Sequence, residues 1–318
     1  MASRALSFVA LIVLSTLPCQ SQTQIDYHQH LLSPSAAKLG VLPRQFTARD
    51  LISLLDAAGV RRALVLSLAF QYGNPNKPPT PDEYTQVRQE NDWTADQVVH
   101  YPDRLRAFCA VNPLKAYAVS EIKRCAKNPY LRRGLKLHFG NSDVDMDDPR
   151  QVAQLRHVFR AADKYRMAIV VHMRSSVTRH RPYGTREAQT FLNEVLPSAP
   201  HVPIQIAHLA GAGGFDDPSV DNALSVFIEA IARHDSRMAN VYFDICGVAG
   251  MGQWKEKKAL IVERIRQIGI NRILWGSDGS FGAGTTPAHA LEAYRELPLT
   301  KEEFHTIDTN VAPYMRWR

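Results

Sequence analysis

The chain has 318 residues, of which 45% are hydrophobic, 22% charged and 8% aromatic, with 17 Gly and 19 Pro. These proportions exclude a disordered, collagen-like or low-complexity chain, and the length allows one large barrel or two average domains. The formal net charge of +7 is spread over short clusters such as Arg61-Arg62 and Arg132-Arg133. Because these clusters lack interleaved aromatic residues, they predict solvated surfaces and no nucleic-acid partner.

The chain opens with an apolar run at residues 5–17, which leads into Pro18-Cys19-Gln20-Ser21. This pattern is typical of a secretory signal peptide, here residues 1–21, with cleavage near Ser21. The run is shorter than the ~20 residues that a membrane-spanning helix needs. We therefore expect a secreted or periplasmic mature chain, residues 22–318, without a stable membrane span. Lipoprotein anchoring through Cys19 is the less favoured alternative.

Three cysteines follow the predicted signal peptide: Cys109, Cys125 and Cys246. Their number is odd and they show no Cys-x-x-Cys spacing, so the sequence gives no disulfide framework. We expect buried or free thiols. None stands beside a histidine in a pattern that indicates a nucleophile.

From Ile25 onward, short apolar runs alternate with longer segments of helical periodicity, which is the pattern of repeated βα units and a parallel sheet. Helices are predicted, for example, at Val152–Tyr165 and Ser219–His234. No Gly/Ser-rich linker divides the chain, so we predict a single (β/α)8 TIM barrel over residues 22–318. The eight candidate strands are Ile25–Gln29, Arg62–Ser67, Leu105–Val111, Gly134–His138, Ala168–His172, Pro203–His208, Val241–Ile245 and Ile273–Ser277.

The connection after the second predicted strand is too rich in proline for a helix. Residues Ala69–Glu83 contain four prolines within Asn74-Pro75-Asn76-Lys77-Pro78-Pro79-Thr80-Pro81, which predicts an exposed loop. Loops at that end of a barrel border the active site. The segment is therefore either a lid or a surface excursion without a role.

Polar, titratable residues end five of the predicted strands: His28 and His30, His138, His172, His208 and Asp278. A single buried histidine is more often a hydrogen-bonded core residue than a ligand. In a barrel, however, the strand ends converge on one mouth, and this convergence favours a functional site. His28 and His30 lie two residues apart, so both side chains leave the same face of an extended strand and can bind one cation.

These residues resemble those of the amidohydrolase superfamily, in its amidohydrolase-related branch of metal-dependent TIM-barrel hydrolases, which also includes decarboxylases of the aminocarboxymuconate-semialdehyde type. The resemblance runs from Asp26 to about Asn310. It is carried by Asp26-Tyr27-His28-Gln29-His30, Glu90-Asn91-Asp92-Trp93, Gly134-Leu135-Lys136-Leu137-His138, Val170-Val171-His172, Ala207-His208 and Leu274-Trp275-Gly276-Ser277-Asp278. It implies that a divalent ion is held by His28, His30, His172 and Asp278.

The donor chemistry agrees with this implied metal site. Neutral imidazoles and a carboxylate suit Zn²⁺, with Mn²⁺ or Fe²⁺ as alternatives. Asp278 is expected to accept a proton from the attacking water and deliver it to the leaving group. His208 is expected to orient that water or stabilise the developing oxyanion. Arg174 either pairs with a substrate carboxylate or is an ordinary surface arginine.

Lys136 and His138 share one face of the fourth predicted strand. In binuclear relatives a carboxylated lysine on this strand bridges two metals, so Lys136 is a possible second-metal bridge. We favour one metal, with His138 lining the substrate pocket. Asp244 is expected either to hold a ligand imidazole or to be a solvated or capped carboxylate.

The resulting hypothesis is a metal-dependent hydrolase that activates water to cleave a C–N or C–O bond in a small amide, lactone or ester. The first alternative is a nonoxidative decarboxylase of a carboxylic acid on the same site, for which a carboxylate-binding arginine becomes obligatory. The second alternative is a non-catalytic binding barrel that keeps the metal for structure. The sequence leaves the substrate and the oligomeric state open, and a homodimer is possible.

Overall fold

The computed structural model describes residues 25–40, 44–280 and 285–316. Its strands form one parallel sheet in the order β1 to β8, with helices between them, so the predicted (β/α)8 barrel is confirmed. The strands are β1 (Ile25–Gln29), β2 (Arg62–Leu66), β3 (Leu105–Ala110), β4 (Gly134–His138), β5 (Ala168–His172), β6 (Ile204–Ile206), β7 (Val241–Asp244) and β8 (Ile273–Leu274). The predicted signal peptide lies outside the described residues.

The helices surround the sheet. Both helices predicted above are present, and α6 and α8 each begin at a proline behind an aspartate whose side chain accepts a backbone N–H. The α-helices are α1 (Pro34–Ala37), α2 (Ala48–Ala57), α3 (Glu83–Val98), α4 (Ala118–Cys125), α5 (Phe139–Ser142), α6 (Pro149–Lys164), α7 (Thr185–Thr190), α8 (Pro218–Ala232), α9 (Trp254–Ile268), α10 (Pro287–Arg295) and α11 (Lys301–Thr309). Within the described ranges, no helix combines the length and the apolar character needed to cross a membrane.

Strand β8 is only two residues long, and a buried carboxylate closes the barrel beside it. The Asp26 side chain accepts the backbone N–H of Ser277 at 3.0 Å and the hydroxyl of Ser277 at 2.5 Å. Backbone bonds continue the seam, from Tyr27 N to Trp275 O at 3.0 Å and from Asp278 N to His28 O at 2.9 Å. The first strand is thereby fixed against the segment that ends in Asp278.

The opposite end of the barrel, where the strands begin, is closed by aromatic packing, and we call it the floor. The segment Pro313–Met315 places Tyr314 against Tyr27 and Phe108, with ring centroids 6.1 Å and 5.4 Å apart. Gly134 allows this packing, because a Cβ there would lie 2.2 Å from the Phe108 ring. The floor is therefore a packed hydrophobic core.

The structure corrects the expectation for two of the cysteines. Cys109 on β3 and Cys125 on α4 form a disulfide, whereas Cys246 is free and buried as expected. The helix that follows a strand in a βα unit packs back onto that strand, which brings together two cysteines 16 residues apart. Sequence spacing alone does not contain this information.

The loop expected at Ala69–Glu83 is also corrected in part. Its first five residues, Ala69–Gly73, form a buried 3₁₀ helix, and α3 begins at Glu83. The proline-rich remainder is irregular, as predicted. The 3₁₀ helix places Phe70 against the imidazole of His138, with ring centroids 5.1 Å apart, so this segment reaches the barrel mouth.

Candidate metal and active site

His28, His30 and Asp278 meet at the mouth of the barrel. One potential ligand atom from each lies within 4.8 Å of the others. His30 Nε2 is 3.6 Å from an Asp278 carboxylate oxygen. Because metal–nitrogen and metal–oxygen bonds are each about 2.1 Å long, this separation is close to the span of one ion. The structure thus brings together three of the four ligands implied by the sequence.

His172, the fourth implied ligand, ends β5 and is buried beside the other imidazoles. Its ring centroid lies 3.9 Å from that of His138 and 5.0 Å from that of His208. Among the described residues, His172 Nδ1 has no hydrogen-bond partner. A buried polar atom without a partner is costly, so this nitrogen fits a site that binds a ligand or cation.

The two ring nitrogens of His28 have different partners. Nδ1 lies 3.1 Å from an Asp244 carboxylate oxygen, and Nε2 lies 3.1 Å from Lys136 Nζ. A carboxylate selects the tautomer with the proton on Nδ1, which leaves the Nε2 lone pair directed at a cation. The Lys136 ammonium is that cation in the structure. Of the two alternatives left open for Asp244, the structure shows the one in which its carboxylate holds an imidazole.

Backbone carbonyls orient two more imidazoles in the same way. His30 Nδ1 donates to Leu66 O at 2.7 Å, and His208 Nδ1 donates to Cys246 O at 2.8 Å. A carbonyl oxygen can only accept, so both rings carry their proton on Nδ1 and keep the Nε2 lone pair. This arrangement of donors suits a divalent metal ion. The two carbonyls could not be identified from side-chain motifs.

Burial keeps the imidazoles neutral. It lowers the pKa of His30 to about 3 and that of His208 to about 4, although nearby carboxylates act in the opposite direction. Burial holds the pKa values of His138 and His172 well below the ordinary value, and the nearby charge of Lys136 lowers both further. Neutral imidazole is the form that binds metals.

The carboxylates at the mouth are ionised. Burial would raise the pKa of Asp278, but its interactions with His28, His30, His208 and the Lys136 ammonium outweigh that effect and the pKa is lowered. The pKa of Lys136 falls to about 8 through burial, against the attraction of Asp244 and Asp278. At neutral pH the mouth thus holds carboxylates that can accept protons.

A polar chain connects this site to the floor. Gln205, in the middle of β6, donates to the Asp244 carboxylate at 2.6 Å. The Tyr314 hydroxyl in turn donates to the Gln205 side-chain carbonyl. The chain therefore runs from Tyr314 through Gln205 and Asp244 to His28. No motif in the sequence points to Gln205, although a polar residue between two isoleucines of a buried strand is a detectable signal.

The backbone is strained at both candidate catalytic residues. His208 has φ 55° and Asp278 has φ 51°, which is the left-handed region that non-glycine residues rarely occupy. Such strain persists only where the surroundings enforce it, and it concentrates at functional sites. Gly276 permits the close approach beside Asp278, because a Cβ there would lie 2.9 Å from the His28 Cβ.

The two expected substrate-binding residues already have partners. Arg174 Nε and Nη2 lie 3.1 Å and 3.0 Å from one carboxylate oxygen of Asp217, and the guanidinium lies 4.8 Å from the Tyr183 ring centroid. His138 Nδ1 accepts the backbone N–H of Asn141 at 3.1 Å. His138 lines the site through its stacking on His172, whereas Arg174 is engaged in an ion pair.

Solved structures share the fold. A 5-carboxyvanillate decarboxylase from Sphingomonas paucimobilis is 17% identical, with coverage of 93% of this chain and 99% of its own and a TM-score of 0.66. A probable 2-pyrone-4,6-dicarboxylic acid hydrolase from Acinetobacter baumannii is 16% identical, with 90% and 96% coverage and a TM-score of 0.58. A dihydroxybenzoic acid decarboxylase from Polaromonas sp. JS666, with bound manganese, is 15% identical, with 90% and 94% coverage and a TM-score of 0.59.

At these identities the structural likeness shows the fold and not the substrate. No curated protein matches the chain. The amidohydrolase family matches residues 25–307, which include β1 to β8 and every candidate site residue. The family and the cluster of His and Asp side chains support a divalent metal. The chain therefore belongs to the amidohydrolase family, a family of enzymes.

Proposed function

We propose that this protein is a metal-dependent hydrolase that cleaves a C–N or C–O bond in a small amide, lactone or ester. The observation that carries the proposal is the convergence of neutral imidazoles and an ionised aspartate at the barrel mouth. Among the solved structures, the likeness to a pyrone hydrolase is consistent with this chemistry.

The ion would be held by His28, His30, His172 and Asp278. The proposed ion is Zn²⁺, because three imidazoles and one carboxylate suit it, with Mn²⁺ and Fe²⁺ as the alternatives. When bound, a divalent ion supplies Lewis acidity that polarises a carbonyl and makes water available as a nucleophile near neutral pH. Lys136 would bridge a second ion only if its amine were carboxylated.

Three side chains of the mouth would carry out proton transfer, stabilise developing charge and shape the pocket. The Asp278 carboxylate, ionised at neutral pH, takes the proton of the attacking water and returns it to the leaving group. His208 Nε2 is free to contact the water or the oxygen on which charge develops, because Nδ1 is fixed on Cys246 O. The stacked ring of His138 limits the pocket beside His172.

The second candidate is a nonoxidative decarboxylase, favoured by the likeness to the carboxyvanillate and dihydroxybenzoate enzymes. This reaction needs a cation for the substrate carboxylate. Arg174 is 11% exposed and ion-paired with Asp217, so it would have to exchange that partner for a substrate. The geometry therefore favours hydrolysis.

Metal analysis combined with a substrate panel tests the proposal. We expect about one divalent ion per chain, and hydrolysis of a lactone or amide that chelation abolishes and Zn²⁺ restores. Release of CO₂ from an aromatic acid, lost in Arg174→Ala, would establish the decarboxylase instead. If chelation lowers the melting temperature while no substrate is turned over with or without metal, the protein is a non-catalytic binding barrel.

We also propose that residues 1–21 direct export and that the mature protein is secreted or periplasmic, with Cys19 lipidation as the alternative. The disulfide between Cys109 and Cys125 supports export, because disulfides persist in oxidising compartments. Mass spectrometry of the exported protein tests this proposal. A first residue near Gln22 is expected, and a chain found with residues 1–21 intact in the cytoplasm would contradict it.

A further inference from the structure

Basic clusters that are separate in the sequence lie side by side on the floor of the barrel. Parallel strands begin at the same end of a sheet, so residues that precede or begin β2 to β5 share that end. Backbone contacts join these segments, with Ala63 N donating to Arg104 O and Ala168 N donating to Arg133 O, each at 2.9 Å. The arginines placed there are Arg61, Arg62, Arg104, Arg106, Arg132, Arg133 and Arg166.

Carboxylates neutralise only part of this charge. Asp56 pairs with Arg104 at 2.6 Å, and Asp103 attracts Arg62. Across the described ranges, four exposed arginines of this end form no ion pair; they are Arg61, Arg132, Arg133 and Arg166. We call these four side chains the basic face.

The positive charges on this end are close enough to repel one another. The pKa of Arg106 is lowered to about 10. Burial is the main cause, and the charges of Arg133 and Arg62 add to it. Like charges held together cost free energy, and a bound anionic surface removes that cost. The basic face thus has the electrostatic character of a surface that binds anions.

An exposed aromatic side chain lies beside the basic face. Tyr130, in the connection between α4 and β4, is 43% exposed and stands two residues before Arg132. Tyrosine combines an apolar ring with a polar tip and is enriched where membranes meet water. This side chain favours a lipid surface over a purely ionic partner.

We propose that the basic face docks on an anionic phospholipid surface and leaves the barrel mouth facing solution. The partner chemistry is a layer of phosphate headgroups with net negative charge, and each arginine near such a surface contributes a favourable, salt-screened attraction. The proposal concerns the floor only and does not depend on the reaction at the mouth.

Sedimentation with lipid vesicles tests this inference on the mature chain, residues 22–318. Vesicles of phosphatidylcholine with about one third phosphatidylglycerol are compared with phosphatidylcholine alone. The variant Arg132→Gln/Arg133→Gln should bind the anionic vesicles about tenfold or more weakly than the unchanged protein. The matched control Arg156→Gln/Arg160→Gln removes two exposed arginines of α6 and the same net charge, and should bind nearly as well as the unchanged protein.

All these proteins lack the predicted signal peptide, residues 1–21, so differences in binding report on the basic face. Arg61→Gln/Arg166→Gln is a second variant if the first proves unstable. Equal loss in the variant and the control, or equal binding to both lipid mixtures, overturns the proposal. Arginine-dependent binding of an oligonucleotide without binding to anionic vesicles also overturns it.

Discussion

The two ends of this barrel are filled by different kinds of side chain. At the floor, Tyr27, Phe108 and Tyr314 interlock, and the polar groups among them are hydrogen-bonded. At the mouth, imidazoles and carboxylates crowd together, His172 Nδ1 has no partner among the described residues, and Asp278 sits in a strained backbone conformation. The floor thus stabilises the fold, whereas the mouth contains groups that destabilise the fold and are suited to catalysis.

The largest effect is expected at the mouth. Asp278→Asn keeps the shape and tolerates the positive φ but cannot accept a proton, so kcat should fall by about a thousandfold. The melting temperature should stay within a few degrees, since little packing changes. Asp217→Asn is the matched control at the same end and should retain activity. A large loss of stability in Asp278→Asn would remove the distinction between the two ends.

The next largest effect is expected at the floor. Phe108→Ala should lower the free energy of unfolding by about 3–5 kcal/mol, because it removes a ring that fills the interior against Tyr314 and Gly134. Urea unfolding measures this change. Turnover by the folded variant, measured well below its melting temperature, should remain near normal. A parallel fall in kcat would show that the floor also sets the geometry of the mouth.

The disulfide on the barrel wall should contribute less than Phe108. The Cys109→Ser/Cys125→Ser variant is expected to lose about 3 kcal/mol, because the link closes a loop of 16 residues in the unfolded chain. A reductant should lower the unfolding free energy of the unchanged protein and have no effect on the variant. Equal sensitivity of both proteins would show that the bond does not stabilise the fold.

The smallest effect concerns the polar chain that joins the two ends. Tyr314→Phe removes the hydroxyl that donates to Gln205, and should weaken metal binding about threefold through Asp244 and His28. Competition with a chelator measures the dissociation constant. Tyr27→Phe removes another buried hydroxyl of the floor and should leave metal binding unchanged. If both variants bind metal equally well, the two ends are independent.

The sequence predicted much of the fold because hydrophobic periodicity is a local property. Short apolar runs predict all eight strands, and the convergence of parallel strands predicts the histidines at the ends of β1, β4 and β5 and in the turn after β6. The predicted ends of β6 and β8 are too long. After β8, bonds from Ser277 to the Asp26 side chain replace regular pairing, and after β6 the chain turns into a 3₁₀ helix at Ala207–Ala210.

The features that the sequence did not predict depend on which segments meet in space. The bond between Cys109 and Cys125 needs a helix to return over its strand, and the ion pair of Arg174 needs Asp217 from the loop after β6. The carbonyl of Cys246, which orients His208, carries no side-chain signal at all. The basic clusters predict only ordinary solvated surface in the sequence, because their adjacency exists only in the folded barrel.

The floor also brings the two described ends of the chain together. Tyr27, near the start of β1, donates its hydroxyl proton to Asn310 O at 3.0 Å, and Ala312 N donates to the same hydroxyl at 2.8 Å. A short linker could therefore join the ends in a circular permutant reopened at an outer helix connection. A fusion partner or immobilisation tag on either side would likewise leave substrate access at the far end unobstructed.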